Sequence, residues 1–475
     1  MRKDHALARA VGFAGSALVA VGGLGAGALP VGVPFTAFGQ HARLGLVGVY
    51  SGLALLLLAW WWYGRTPRQH RDSDWVTLAL WVAPLLLAPP MFSRDVYSYL
   101  AQGLMIDQGL DVYRHGPALL GGMVADQVPA IWQNTPSPYG PVFLIVARTV
   151  AGPHLLLGIA AMRLVALAGL ILLAGAVQVL ARGAGINPSA ATWLAVLNPL
   201  VLIHLIGGAH NDALMVGLLA AGLAAAVRRH PIVATLLVVA AALVKVPAAL
   251  GLVAVATIWA TQPAGENGRW SWARAGGAEA ATAAGGRWSW ARAAAGVTAI
   301  AVGATVVITA VAGTGYGWIG ALSTPISPQN WSVTGLFGRW TAGLLGTAAA
   351  ADVWRWAGTL AVVIVAAVAW AYRHRIGPVY ALGIVLVALV VFGPAIRPWY
   401  VVWGLVPLAA VAGHPRVRAV LAGFCAVLVL VVLPDGFAAD AERVLLAVLG
   451  VLIGIAAFLL VRLAVAAPVT LRVAR

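Results

Sequence analysis

Residues 75–99 read WVTLALWVAPLLLAPPMFSRDVYSY, and the interpretation of the whole chain starts from this stretch. Its first part, residues 75–91, is apolar over a length that suits a membrane-spanning helix. The run stops at a proline pair and gives way to Arg94 and Asp95, which open a long polar segment over residues 92–153. This charged pair, at the mouth of a membrane segment, is the best candidate in the sequence for a site of chemistry.

The same apolar pattern recurs along the chain. Of its 475 residues, 62% are hydrophobic and only 9% are charged, whereas soluble domains carry about 25% charged residues. Repeated apolar runs of about 18 residues or more are typical of membrane helices. We therefore predict an all-α, polytopic integral membrane protein with about 13–14 membrane segments. Residues 1–475 are predicted to form a single transmembrane domain.

The positive charge is distributed in a way that predicts topology. The net charge is +16, which in a soluble protein would suggest a nucleic-acid partner. In a membrane protein, Arg and Lys instead collect in cytoplasmic loops, as they do in residues 64–74. The alternation of basic and less basic loops predicts a multi-pass protein of the cell membrane. Both termini are expected in the cytoplasm, and no nucleic-acid partner is expected.

Three long loops follow from this topology. Residues 92–153 and 314–352 are predicted to be large extracytoplasmic loops. Residues 261–293 are predicted to form a low-complexity cytoplasmic loop, in which GRWSWARA occurs at 268–275 and again at 286–293. We interpret the repeat as a tolerated insertion, with an amphipathic interfacial anchor as the alternative.

Two isolated cations are predicted to lie at the outer membrane boundary. If the basic loops on both sides are cytoplasmic, residues 231–260 must cross out and back in arms too short to span fully. Pro247 predicts the break between the arms, next to Lys245. Arg397 lies in a second proline-flanked turn. Two such cations suit a phosphate group whose lipid tail remains in the bilayer, although snorkelling to the interface is the alternative.

The polar residues after the proline pair predict a surface helix. Ser93 can cap a helix that begins at Arg94, and Asp95, Ser98 and Gln102 then share one face of it. Asp95 is the candidate for chemistry. In the alternative interpretation it only complements the helix dipole or pairs with Arg94.

Three further polar residues are candidates. Asp111 lies later in the same loop, where a solvated surface position is the simpler interpretation. His210 and Asp212 lie where two apolar helices meet on the outer side, although Asp212 is equally well placed to cap the second helix. Polar residues between two membrane spans are uncommon without a function.

Six motifs together resemble a known family. They occur in the order FSRDVYSYLAQG (92–103), GLDVY (109–113), TPSPYGPVFL (135–144), GGAHNDALMVGL (207–218), ALVKVPA (242–248) and RPWY (397–400). The set resembles the actinobacterial polyprenol-phosphomannose-dependent α-1,6-mannosyltransferases, which belong to the GT-C glycosyltransferase superfamily. The resemblance covers roughly residues 90–405.

The resemblance implies a reaction and its participants. The donor would be a polyprenyl-phosphate mannose, and the acceptor a lipid-anchored α-1,6-mannan of the lipomannan or lipoarabinomannan core, with membrane lipids around both. Inversion at the sugar is expected, with the active site in the extracytoplasmic loop over residues 92–153. Asp95 matches the general base that acts on the acceptor hydroxyl. Lys245 and Arg397 would stabilise the leaving phosphate.

The resemblance also assigns supporting roles. Arg94 is a third candidate to bind the phosphate. Asp111, which lies in the GLDVY motif, is a candidate to bind substrate. His210 and Asp212 would orient sugar hydroxyls. Many GT-C enzymes carry two adjacent acids in this loop, but here the pair is Arg94 and Asp95. We therefore expect no required metal and no cofactor.

Two other functions remain open from the sequence. A lipid or sugar transporter, or flippase, would also contain broken helices and buried charge. A GT-C enzyme that uses another lipid-linked sugar would contain the same phosphate-binding cations. The clustering of polar residues on one side, rather than at the midplane, favours an enzyme.

Overall fold

The computed structural model describes residues 2–30, 41–65, 72–152, 154–261, 287–320, 332–393, 397–436 and 439–466. Helices make up 81% of the structure, and these residues contain no strand. The prediction of an all-α, polytopic membrane protein is therefore confirmed.

The helices of the first part of the chain end at the repeat-containing segment. Their bounds are α1 (Arg2–Ala26), α2 (Ala42–Arg65), α3 (Asp72–Leu87), α4 (Asp95–Asp107), α5 (Gly122–Asp126), α6 (Ala130–Gln133), α7 (Pro141–Val150), α8 (Leu155–Gly183), α9 (Pro188–Ala195), α10 (Pro199–Val201), α11 (Asp212–Val227), α12 (Pro231–Ala242) and α13 (Gly251–Thr261). A 3-10 turn covers Pro117–Leu119, a π-helix Leu202–Gly207 and a second 3-10 turn Val246–Leu250.

The helices of the second part complete the bundle. Their bounds are α14 (Arg287–Ala312), α15 (Gly317–Gly320), α16 (Val333–Leu345), α17 (Ala349–Ala371), α18 (Arg373–Ile376), α19 (Pro378–Phe392), α20 (Val402–Val411), α21 (Pro415–Val431) and α22 (Ala441–Ala466). A 3-10 turn over Pro398–Val401 precedes α20.

Six described helices are long and apolar enough to cross a membrane. They are Asp4–Ala26, Ala42–Arg65, Leu155–Gly183, Ser289–Ala312, Ala349–Ala371 and Ala441–Val465. The bent pair Pro188–Ala195 and Pro199–Gly207 makes seven if it counts as one span. Seven more apolar helices have only 10–17 residues, so the number of 13–14 segments stays a prediction.

One predicted helix is broken in the structure. The sequence predicts a continuous helix over 189–206, but the chain bends by 47° between Ala195 and Pro199. Pro199 has no N–H to continue the helix, and the side chain of Asn198 accepts the N–H of Leu200 at 3.0 Å. The second arm then widens into the π-helix Leu202–Gly207, a form that is frequent at functional sites.

The hairpin over residues 231–261 has the predicted break. Helix α12 ends at Ala242, and Lys245 adopts an extended backbone before the 3-10 turn that contains Pro247. Helix α13 then begins at Gly251. The break holds Lys245 at the end of both arms rather than within a helix.

The loop over residues 92–153 is a packed unit of short helices. Helix α4 begins one residue later than predicted, and Ser93 Oγ accepts the N–H of Asp95 at 3.0 Å. Ser137 donates to Gln102 across the loop at 2.9 Å. Helix α7, which is apolar but too short to span a membrane, packs against α4. These contacts turn the face of α4 that contains Asp95 toward the rest of the bundle.

Two predictions fall partly outside the described residues. The first copy of the repeat, residues 268–275, lies outside them, and so do residues 321–331 of the second predicted loop. The second copy is not loop, because from Arg287 onward it forms the start of α14. The predicted loop over 261–293 therefore extends too far at its C-terminal end. Most of the described part of residues 314–352 is helical.

Candidate functional site

A cavity of about 680 Å³ lies between α4, the turn after Lys245, and helices α13, α17 and α19. Its polar and charged lining includes Asp95, Ser98, Gln102, Lys245, Arg397 and Tyr400. Its apolar lining includes Leu250, Val253, Val362, Ala366, Val385 and Leu389. The wall of the cavity is therefore amphipathic.

Three of the predicted site residues line this cavity. Asp95 comes from the start of α4, Lys245 from the break in the hairpin, and Arg397 from the turn before α20. They place one carboxylate and two cations on the wall of a single cavity. Such a set can bind an anion and hold a proton acceptor beside it.

Asp212 lies behind the lining, at the first turn of α11. Its carboxylate is fully buried and accepts two hydrogen bonds from Lys245 Nζ, at 3.0 and 3.1 Å. Trp403 Nε1 donates a third at 2.6 Å. A buried carboxylate is tolerated when it is paired and hydrogen-bonded in this way. Asp212 thus fixes Lys245, and it does not itself line the cavity.

The ammonium group of Lys245 is also enclosed by aromatic rings. Its Nζ lies 4.2 Å from the centre of the Tyr400 ring and 5.2 Å from that of Trp403, within the range of cation–π attraction. Burial by itself lowers the pKa of Lys245, but the charge of Asp212 and its hydrogen bonds outweigh burial, so the pKa is raised. Lys245 therefore remains a cation at neutral pH.

His210 also lies behind the lining, next to Asp95. Its ring is fully buried, and Nδ1 is 3.5 Å from Asp95 Oδ2. Burial lowers the pKa of His210 and outweighs the opposing effect of the carboxylates of Asp95 and Asp212, while Lys245 and Arg397 lower it further. The imidazole is accordingly neutral at pH 7.

Arg94 points away from the cavity. Its guanidinium donates to the backbone carbonyls of Leu29, at 3.1 Å, and Gln127, at 3.2 Å, and lies over the ring of Tyr97. The side chain links the end of α1 to the loop that follows α4. Arg94 is therefore not brought to the other predicted substrate-binding residues.

Asp111 is likewise separate from the cavity. Its side chain is 48% exposed and pairs with Arg114 at 3.3 Å. One of its oxygens also accepts the N–H of Tyr113 at 2.9 Å. The structure thus agrees with the simpler interpretation of a solvated turn.

Two of the aromatic residues on the cavity wall, Tyr139 and Trp403, were not among the predicted site residues. Tyr139 lies on the cavity wall and packs against Tyr99 at 5.4 Å between ring centres. Trp403 stacks on Tyr400 at 4.3 Å and donates to Asp212. The spacing of three residues between Tyr400 and Trp403 places them on one helical face, which is the signal that was available.

Among the described residues, no group of three or more His, Cys, Asp or Glu side chains could hold a metal ion. The acids of the site lie next to cations rather than next to one another.

Comparisons with known proteins agree along most of the chain. A family model described as "Alpha-(1->6)-mannopyranosyltransferase, N-terminal domain" matches residues 9–261. A second model, "MptB C-terminal domain", matches residues 329–463. The first region contains Asp95, His210, Asp212 and Lys245, and the second contains Arg397. No solved structure matches the chain.

Characterised relatives belong to the same family. Alpha-(1->6)-mannopyranosyltransferase A of Mycobacterium tuberculosis is 34% identical over 453 residues, which cover 90% of this chain and 84% of the relative. Alpha-(1->6)-mannopyranosyltransferase B of Corynebacterium glutamicum is 32% identical over 505 residues, with 95% and 81% covered. The motifs around the cavity and these matches lead to one conclusion: the chain belongs to the alpha-(1->6)-mannopyranosyltransferase family.

Proposed function

We propose that the protein is a membrane glycosyltransferase that moves mannose from a polyprenyl-phosphate mannose to an α-1,6-mannan acceptor, with inversion. Family membership supports mannosyl transfer. One observation supports the lipid-linked donor above all: Asp95, Lys245 and Arg397 line a cavity whose remaining wall is largely apolar. A phosphate with a sugar on one side and an isoprenoid chain on the other matches that division.

The donor is proposed to lie along the cavity. Its phosphate would lie between Lys245 and Arg397, where charge-assisted hydrogen bonds are strongest. The isoprenoid chain would follow the apolar part of the wall, formed by residues of α13, α17 and α19 such as Val253, Val362 and Leu389. Burial of each methylene group in such a slot contributes about 0.8 kcal/mol.

The reaction is proposed to proceed by direct displacement. The acceptor hydroxyl oxygen forms a bond to C1 of mannose as the bond from C1 to the phosphate oxygen breaks. Asp95 accepts the hydroxyl proton as general base. The phosphate takes the electron pair of the broken bond, and Lys245 and Arg397 stabilise the charge that develops there. Ser98 and Gln102, on the same face as Asp95, are proposed to contact the sugars.

The cavity is proposed to face the extracytoplasmic side of the cell membrane, with both termini in the cytoplasm and residues 92–153 as the catalytic loop. The distribution of basic loops supports this orientation. Arg114→Cys, on an exposed part of that loop, should react with a membrane-impermeant maleimide in intact cells. His230→Cys, which follows α11, should react only after the membrane has been permeabilised. The native Cys425 is buried and gives little background, and the reverse labelling pattern would contradict the orientation.

Transfer itself is tested with purified protein in liposomes, labelled polyprenyl-phosphate mannose and a short α-1,6-mannoside. We expect the acceptor to be extended by α-1,6-linked mannose. Asp95→Asn should lower kcat on the order of 1000-fold and leave donor binding unchanged. Asp107→Asn is the matched control, because Asp107 lies on the same helix but pairs with Arg148 at the surface.

Two results would contradict the proposal. Correctly inserted protein that moves labelled lipid between leaflets without extending the acceptor would instead indicate a flippase. Extension with polyprenyl-phosphate arabinose, and none with the mannose donor, would keep the reaction class and change the sugar.

A further inference from the structure

His210 occupies an unusual position behind the cavity. The ring is fully buried, and it does not line the space in which substrates would bind. Within the described residues, neither of its nitrogens has a hydrogen-bond partner at ordinary distance. Asp95 Oδ2 is nevertheless only 3.5 Å from Nδ1, a few tenths of an ångström beyond a typical N–H···O bond of about 2.9–3.2 Å.

The surrounding aromatic residues fix the orientation of this ring. The Trp399 ring packs against it with 4.3 Å between ring centres, and His204 packs on Trp399 at 5.1 Å. The imidazole therefore cannot turn toward the cavity without displacing a buried indole. With this ring orientation, Nδ1 faces the carboxylate of Asp95.

The backbone before His210 is shaped to hold the ring there. Ala209 has φ of +52°, in the left-handed region that a residue with a Cβ rarely adopts. A Cβ at Gly208 would lie 2.7 Å from Cδ2 of His210 and 2.6 Å from the carbonyl oxygen of His204. Strained backbone of this kind persists where packing enforces it, and it is concentrated at functional sites.

We propose that His210 is a positioning residue for Asp95: its neutral imidazole donates the Nδ1–H to Asp95 Oδ2 and orients the carboxylate toward the acceptor hydroxyl. The inference rests on the proposed function, since it assigns a role to His210 in that reaction. Asp95 keeps its second oxygen for the hydroxyl proton. His210 retains its own proton throughout, so the atoms and charges of the transfer step are unchanged.

The charged groups around His210 are consistent with this role. Asp95 and Asp212 face it with negative charge, and Lys245 and Arg397 with positive charge. The ring of His204 lies 6.1 Å away, between ring centres. A neutral donor orients the carboxylate without adding a third cation beside it. The long distance to Asp95 also fits, because catalytic hydrogen bonds often shorten when substrate binds.

Two isosteric variants test the assignment. The side-chain amide nitrogen of Asn is separated from Cα by the same number of bonds as Nδ1 of histidine. The side-chain amide nitrogen of Gln is separated from Cα by the same number of bonds as Nε2 of histidine. We expect His210→Gln to lower kcat on the order of 100-fold and His210→Asn to lower it by less than about 10-fold. The donor KM should change little in either variant, because the ring does not line the cavity.

The pH–rate profile supplies a readout that a structural role would not move. His210→Gln removes a hydrogen bond to the ionised carboxylate, so the acidic limb of kcat/KM should move to higher pH. His210→Asn should leave that limb in place. In an Asp95→Asn background, His210→Gln should lower the residual rate by less than about twofold, since the two residues act together.

Gly208→Ala provides the same test without removing the imidazole. Its Cβ would displace the His210 ring, so kcat should fall as in His210→Gln at an unchanged donor KM. Wild-type protein that transfers no mannose would overturn the proposed function together with this inference. Active wild-type protein in which the Asn and Gln variants lose kcat equally, or raise the donor KM instead, would overturn the inference alone.

Discussion

Lys245 Nζ lies 3.0 Å from Asp212 Oδ1, so a cation on the cavity wall is tied to a fully buried carboxylate at the start of another helix. The lysine side chain is only 12% exposed. The pair holds the break in the 231–261 hairpin against α11. Because one member faces the cavity and the other does not, stability and ligand binding can be separated by mutation.

Asp212→Asn should destabilise the protein. The substitution leaves the ammonium of Lys245 enclosed without a countercharge, and breaking a buried pair costs about 3–5 kcal/mol. Thermal unfolding in detergent measures the effect. Asp352→Asn is the control, because Asp352 pairs with Arg355 at an exposed surface and such pairs contribute less than about 1 kcal/mol. A loss as small in Asp212→Asn as in the control would contradict the prediction.

Removal of both members should restore stability but not donor binding. In the double variant Asp212→Asn and Lys245→Gln, no uncompensated charge remains, so most of the lost stability should return. Binding of polyprenyl phosphate should remain weaker by about 10–100-fold, as expected for loss of a hydrogen bond to a charged group. Isothermal titration of the detergent-solubilised protein measures this. Recovery of both properties would argue against contact between Lys245 and the phosphate.

Gly140→Ala should disturb the site through the backbone. A Cβ at Gly140 would lie 2.7 and 2.8 Å from the carbonyl carbon and Cα of Leu243, two residues before Lys245. Overpacking of this kind costs about 1–3 kcal/mol, and we expect both Tm and donor affinity to fall. Gly175→Ala is the matched control, because a Cβ there meets nothing within 4 Å. An equal effect of the two substitutions would refute this explanation.

As the pH falls, the free energy of unfolding should decrease, and part of this decrease should depend on His210. Burial places the pKa of His210 below its usual value, so the unfolded chain takes up a proton first as the pH falls below about 6.5. Above that pH, the contribution of His210 to the free energy of unfolding is complete. As the pH falls below it, the contribution declines by at most about 1.4 kcal/mol per pH unit until the folded residue also titrates.

Unfolding measured between pH 5 and 8 checks the effect. His210→Asn should flatten the dependence relative to wild type, whereas His115→Asn, on an exposed part of the loop after α4, should leave it unchanged. A wild-type profile that His210→Asn leaves unaltered would show that His210 does not titrate in this window.

The sequence predicted those parts of the fold that depend on local patterns. Apolar runs predicted most of the long helices, and Pro247 predicted the break that contains Lys245. Helical spacing brought Asp95, Ser98 and Gln102 to one face, and all three line the cavity. The bend before Pro199 was missed, because the apolar runs on both sides of Asn198 and Pro199 were interpreted as one helix.

The site was harder to predict, because its members meet only in the folded chain. Arg94 and Arg397 illustrate the difficulty. The guanidinium of Arg94 binds backbone carbonyls of two distant segments, whereas Arg397 lines the cavity. No spacing distinguishes them. The partners of Asp212 were equally hidden, since Lys245, in the break of the hairpin, and Trp403, on α20, lie far along the sequence from it.

The hydrogen bond from Trp403 to Asp212, at 2.6 Å, joins the regions that the two family models match separately. A carboxylate at 212, an ammonium at 245 and an indole at 403 therefore form one buried group to which both regions contribute. Exchange of any one member leaves a buried charge or donor without its partner, so we expect the three positions to change together among relatives or not at all.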